Sequence, residues 1–171
     1  MQIGTAWEEI TPDRPLPLLG QMHVRLGQYK RDPLTVNAVV FDGDGDGSNR
    51  VAIVSIDVCV IPGELARAMQ AACAAAAVIQ PEAVIVAATH THVAPCTTNQ
   101  LVGEVDPAFI ARLIEAVAQS VARAIADLEP CDLFAGTGYV EHMGWNRLLS
   151  PESQWPGQCG DPFFLLSPQL C

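Results

Sequence analysis

Short, largely apolar β-like runs mark the first third of the chain, and a longer, helical period follows. Thr35–Phe41 and Arg50–Val60 read as strands, separated by Asp42-Gly43-Asp44-Gly45-Asp46-Gly47. Alternating Asp and Gly between two β-runs predicts a hairpin, with Gly supplying positive φ. From Pro62-Gly63-Glu64 onward, Leu65, Met69, Cys73 and Ala76 fall on one stripe of a helix running to about Ile79, and Pro81 stops it. An apolar run, Val84–Ala88, follows at once and reads as a buried strand. Strand, helix, strand in this order predicts a right-handed crossover with the two strands parallel.

A second helix opens at Asp106 and Pro107, an N-cap and a first-turn proline, and runs to about Leu128. Phe109, Leu113, Val117, Val121, Ile125 and Leu128 form its apolar stripe, and Pro130 marks its end. A further strand is expected over Asp132–Val140. Before all this, the proline-dense opening (Pro12, Pro15, Pro17) favours a short strand and then a loop wrapping the domain. His23 and Arg25 lie on that loop and read as solvent residues. The expected fold is α/β: a mixed sheet with a β-hairpin, then right-handed strand–helix–strand units, with helices packed on the sheet.

The stretch that carries chemistry is Ala83–Pro95, AVIVAATHTHVAP. In open α/β sheets, ligands gather beyond the carboxyl ends of the strands. His90 and His92 stand there, flanked by Thr89 and Thr91. In an extended chain both imidazoles face the same way, toward one metal or substrate. If the chain turns at Thr91, one binds and the other acts from behind it. The plainer alternative is that both cap the strand. Asp57, near the end of an apolar strand, is placed to orient a histidine, to cap a helix or to pin a loop. Cys96–Val105, rich in Thr, Asn, Gln and Gly, is expected to line the rim.

Charge narrows the partners. A formal net charge of −10 over 171 residues excludes a basic nucleic-acid footprint and disfavours docking on anionic lipid. No apolar run is long enough to span a bilayer, and the N-terminus does not read as a signal peptide. Six cysteines (59, 73, 96, 131, 159 and 171) include no Cys-x-x-Cys pair. They read as reduced core thiols of a cytoplasmic protein. The Asp-Gly segment matches the start of an EF-hand loop but has Ile53 where the twelfth-position Glu belongs, so it reads as a turn.

Glu9-Ile10-Thr11-Pro12, Leu18-Leu19-Gly20, Asp32-Pro33-Leu34, Val54-Ser55-Ile56-Asp57, Ala88-Thr89-His90-Thr91-His92 and Asn146-Arg147 occur in that order. Together they resemble the amino-terminal part of the neutral/alkaline, non-lysosomal ceramidases, over roughly Gly4 to Arg147. The resemblance implies a zinc amidohydrolase that splits ceramide into sphingosine and a fatty acid. It implies His90 as a zinc ligand, with His92 and Arg147 in the catalytic pocket. Two departures stand out. Family members continue the histidine motif with Ser-Gly-Pro, where this chain has Val93-Ala94-Pro95. The family's remaining ligands (another His, a Glu and a Tyr) come from much later in a longer chain, and Tyr139, Glu141 and His142 do not match those motifs. Residues 1–149 are therefore expected to be a partial catalytic domain, and 150–171 an irregular tail suggesting truncation or a shifted frame. The expected function is zinc-dependent hydrolysis of a lipid-like linear amide, incomplete in this chain. A non-catalytic binding module on the same scaffold is one alternative. A hydrolase using His92 and Asp57 as a general-base pair is another.

Overall fold

A computed structural model describes residues 1–99 and 103–140. In chain order the elements are β1 (Gln2–Glu9), β2 (Pro17–Leu18), β3 (Arg25–Leu26), β4 (Thr35–Asp42), β5 (Arg50–Ile56), α1 (Gly63–Ala76), β6 (Val84–Ala88), α2 (Pro107–Ala126) and β7 (Glu129–Pro130). Five strands form a mixed sheet in the order β6-β5-β4-β1-β7. β4 runs antiparallel to β1 and β5, and β5 is parallel to β6 across α1, the crossover expected from sequence. The α/β architecture, with helices packed on a mixed sheet, is thus as expected.

Side chains alternate across a strand, and the two helices cover one face only. Val36, Ala38, Val40, Ala52, Val54 and Ile56 point under them and join Met69, Cys73, Leu113, Val117 and Val121 in one core. The opposite face carries Trp7, Ile53 and Ile85, which stay 56%, 41% and 52% exposed. The apolar run at β6 is therefore half-buried rather than enclosed on both sides. Helix α2 lies so close on β1 that a Cβ on Gly4 would stand 1.9 Å from the Ala124 carbonyl oxygen. Only glycine fits there.

The helix termini follow their sequence signals, with one difference. Asp106 caps α2 by accepting from the Phe109 N–H at 2.9 Å. Helix α1 stops at Ala76, before the expected Ile79, and Ala76 is exposed rather than on the buried stripe. Pro81 opens a short 3-10 turn leading into β6.

The Asp-Gly segment is a hairpin turn, with Gly45 and Gly47 at φ +77° and +86°. Asp42 is fully buried and accepts from the Gly45 N–H at 2.8 Å and Arg50 Nε at 3.0 Å. Arg50 in turn donates to the Val78 carbonyl at 3.1 Å, tying the hairpin to the end of the first crossover helix. Asp46 accepts from the Ser48 N–H, and Asp44 from Asn49. These carboxylates are used within the turn.

The strand expected over 132–140 does not form. Two residues only, Glu129 and Pro130, pair with β1, and they do so antiparallel. Gly136 and Gly138 weaken any extended pairing there. A single parallel crossover, through α1, is therefore present among the described residues. The chain divides into two compact units, Met1–Asp132 and Leu133–Cys171. Of the second, residues 133–140 are described and carry no regular element. Arg147, Glu141, His142 and the 150–171 segment lie outside the described residues. No helix among the described residues is long and apolar enough to cross a membrane.

Candidate metal centre

The ladder between β5 and β6 continues past both strand ends. The Thr89 N–H donates to Ile56 O at 2.9 Å and the His90 N–H to Val58 O at 3.1 Å. These bonds carry the β6 tip into position beside residues 58–60. The chain then turns at His90 itself, at φ +64°, rather than at Thr91. The left-handed region is disfavoured for a residue with a Cβ and recurs where a site holds the backbone in place.

The turn brings the two rings together. His90 Nδ1 lies 2.7 Å from the Cys59 carbonyl oxygen, an acceptor only, so Nδ1 carries the proton and donates. In neutral His90 this leaves Nε2 with a free lone pair, and it faces His92 Nε2 at 3.4 Å. The ring planes stand at 74° with centroids 4.9 Å apart. Sulfur is close as well: Cys59 Sγ is 3.8 Å from His90 Nδ1. One donor atom from each of Cys59, His90 and His92 lies within 4.8 Å of the others.

This donor set fits a metal ion. Two nitrogens bound to one tetrahedral zinc at about 2.0–2.1 Å stand about 3.3–3.4 Å apart, which the Nε2–Nε2 separation already matches. A metal-binding histidine commonly donates its other ring N–H to a carbonyl or carboxylate, as His90 does to Cys59. His90 is exposed and Cys59 is buried, so the set is open on the solvent side and closed beneath. Burial pushes the Cys59 thiol above its ordinary range, and the Cys96 thiol rises for the same reason, with a further push from Cys59.

The remaining loop is clipped down by the proline-dense opening. Strands β2 and β3 form a two-stranded ribbon, and Leu18 bridges to Pro95. The Leu19 N–H donates to Ala94 O and the Cys96 N–H to Pro17 O, both at 3.0 Å. Gly20, at φ +108°, lies against the His92 ring. Thr97 Oγ1 donates to Val60 O at 2.6 Å. Cys96 and Thr97 are buried under the site and do not form its rim.

Arg25 corrects its sequence reading. It is not a solvent residue: its Nη2 donates to Leu19 O at 3.1 Å and also to the His92 carbonyl. The signal was hidden because its partner lies 67 residues away. His23 is exposed, as expected. Asp57 is the loop-pinning residue, since its Oδ2 accepts from both the backbone N–H and the hydroxyl of Thr35 at 2.8 Å. That carboxylate joins β4 to the end of β5 and bonds to neither imidazole, so the His92–Asp57 general-base pair is not assembled. Thr91 and Val93, on either side of His92, line a groove of about 800 Å³ with Leu18, Tyr29, Pro33 and Pro95. The imidazoles themselves sit beside this groove rather than in its wall.

No family model matches the chain, and no curated protein matches it. Solved structures share the fold. A neutral ceramidase from Pseudomonas aeruginosa superposes with a TM-score of 0.68 at 21% identity, over 75% of this chain and 22% of that one. A ceramidase complexed with C2 gives 0.76 at 22% identity, over 85% of this chain and 24% of that one. The likeness that the ordered motifs carry in sequence is thus present in the fold. The chain spans less than a quarter of the length of these ceramidases.

Proposed function

We propose that this chain carries the histidine-bearing part of a zinc-dependent hydrolase acting on linear amides of the ceramide type. One observation carries the reading: two imidazole Nε2 atoms converge at 3.4 Å at a sheet lip, with the outer nitrogen of His90 committed to a carbonyl. A shared fold with neutral ceramidases supports the substrate class. When bound, zinc supplies Lewis acidity and a water whose pKa is lowered toward neutrality.

The chain's own residues supply the rest. His90 and His92 would hold the ion, and Cys59 O fixes the tautomer of His90. Arg25 and Gly20 set the position of His92. The adjoining groove joins proline, leucine and tyrosine surface to charged side chains such as Arg14, Lys30, Arg31 and Asp32, and its volume is in the range of small-molecule sites, which suits an amphiphilic substrate. Arg147 is proposed as the pocket cation that steadies developing negative charge. Buried thiols at 59, 73 and 96 suit a reducing, cytoplasmic compartment.

Because the chain spans 22–24% of the ceramidases it matches, a second reading is a non-catalytic module on the same scaffold. Metal analysis and turnover together separate the two. Zinc retained by the purified chain and lost in His90→Ala supports the hydrolase site, and chelator-sensitive release of fatty acid from a short-chain ceramide supports the full activity. A stable, monodisperse chain with no zinc at any concentration supports the module and overturns the hydrolase. Turnover unaffected by chelator overturns the metal-dependent reading.

A further inference from the structure

We propose that the sheet face turned away from the helices is a homodimer interface, where two copies of this chain stack sheet on sheet with their helices outward. The proposal is independent of the metal site.

Register is the first argument. Across four strands, Thr5, Val39, Ile53 and Ile85 form one row on this face. Trp7, Asn37, Ser55 and Ala87 form the row on one side of it, and Ile3, Phe41 and Val51 the row on the other. No charged side chain falls in any of these rows, on a chain whose formal net charge is −10. The solvated face of an antiparallel sheet ordinarily turns polar. Here Trp7, Val51, Ile53 and Ile85 all stay exposed, and a contiguous apolar patch of this kind marks an interaction surface.

Area is the second argument. At ordinary strand spacing and rise, the three rows cover about 19 by 20 Å on each copy. Two such footprints, with the relief of the side chains added, come to about 1,000 Å², the lower bound for specific association. That size fits a reversible dimer rather than a permanent one.

Self-complementarity is the third argument, and it selects a second copy over any other occupant. A twofold dimer uses one patch twice, so the patch must fit its own image. An axis running along the strands, between β4 and β5, lays Trp7 over the partner's Ala87. It also lays Asn37 over the partner's Ser55 and Val39 over the partner's Ile53. The indole thus meets the smallest side chain of its row, the polar groups meet each other, and the branched aliphatics pack together. Sheets stacked this way lie about 10 Å apart with strands within about 30° of each other. A tryptophan seated on a small residue is the kind of anchor that carries much of a binding energy. Because the axis follows the strands, the histidine-bearing tips of both β6 strands lie at the same end of the assembly.

Sedimentation velocity on the full chain, from about 1 μM to about 1 mM, is the test. The mass should rise from one chain to two across that range. Ile53→Glu and Ile85→Lys should each weaken association at least tenfold. Ala111→Glu, exposed on α2 and away from the sheet, should leave it unchanged. Should the first two variants fail to fold, Ala87→Glu, at an exposed position with little apolar area to lose, decides in their place. A dimer kept by every face variant, or lost equally in Ala111→Glu, has its contact elsewhere and overturns the proposal. So does a monomer throughout the range, and hydroxyl-radical labelling of Trp7 then identifies the occupant. A shielded indole assigns the cover to residues 133–171 of the same chain, and a labelled one leaves the face bare.

Discussion

A methyl group placed on Gly20 would stand 2.4 Å from Cγ of His92, inside the van der Waals radius of the ring. Gly20 also sits at φ +108°, where residues with a Cβ are strained. Gly20→Ala should therefore push His92 away from His90 and cost about 1–3 kcal/mol of stability. The expected readout is a lower melting temperature together with at least tenfold weaker zinc binding. A variant that melts lower but binds zinc as tightly as the unmodified chain would show that His92 is not a donor.

Arg25 holds the carbonyls of Leu19 and His92 with one guanidinium nitrogen, and its buried Nε has no hydrogen-bond partner. A charged hydrogen bond to a carbonyl contributes about 1.5–3 kcal/mol. Arg25→Met keeps the apolar stem and removes the donors. It should destabilise the chain by about 1–3 kcal/mol and weaken zinc binding, with the loss read by denaturant melts and metal titration. Arg25→Lys should recover only part of either loss, because one ammonium replaces a planar fork.

Cys73 is fully buried between the helices, and burial raises its thiol from the ordinary 9.0 to about 11. The folded chain therefore holds this proton more tightly than the unfolded chain. Stability is intact below pH 9 and falls as pH rises from 9.0 toward about 11, by on the order of 2 kcal/mol. Cys73→Val, similar in volume, should flatten this alkaline arm of the stability curve. An unchanged slope in denaturant melts across that window would rule out Cys73 as its source.

Asp42 and Arg50 form an ion pair in which the carboxylate is wholly buried. Arg50→Met leaves that carboxylate with the Gly45 N–H as its remaining partner and frees the Val78 carbonyl. Breaking a buried pair in this way costs about 3–5 kcal/mol. Thermal melts should show the loss, and added calcium should not restore it, since the neighbouring Asp44 and Asp46 bond within the turn.

How far the sequence could be read depended on the range of each interaction. Local signals were legible. Asp106 and Pro107 start a helix, Asp-Gly repeats make a hairpin turn, and the Leu65–Met69–Cys73 stripe faces the core. Strand identity was also legible, but not which faces are covered, because an apolar run such as Val84–Ala88 does not reveal how many layers pack on it. The site was half legible. The pair of histidines announced itself by spacing, although the turn between strand and site falls on His90 and not on Thr91. Cys59, Gly20 and Arg25 did not, since each reaches the histidines across more than thirty residues of sequence. The place of Asp57 near a strand end left three roles open, orienting a histidine, capping a helix or pinning a loop, and only its bonds to distant Thr35 select the last.

The backbone torsion at His90 sets stability against chemistry at a single residue. Glycine, and to a lesser degree asparagine, occupies φ +64° more comfortably than histidine. Asparagine or glycine at this position would relieve the torsion but give up the ring that joins the Cys59 carbonyl to the face of His92. Comfort of the main chain and the placing of an imidazole thus pull in opposite directions at one residue.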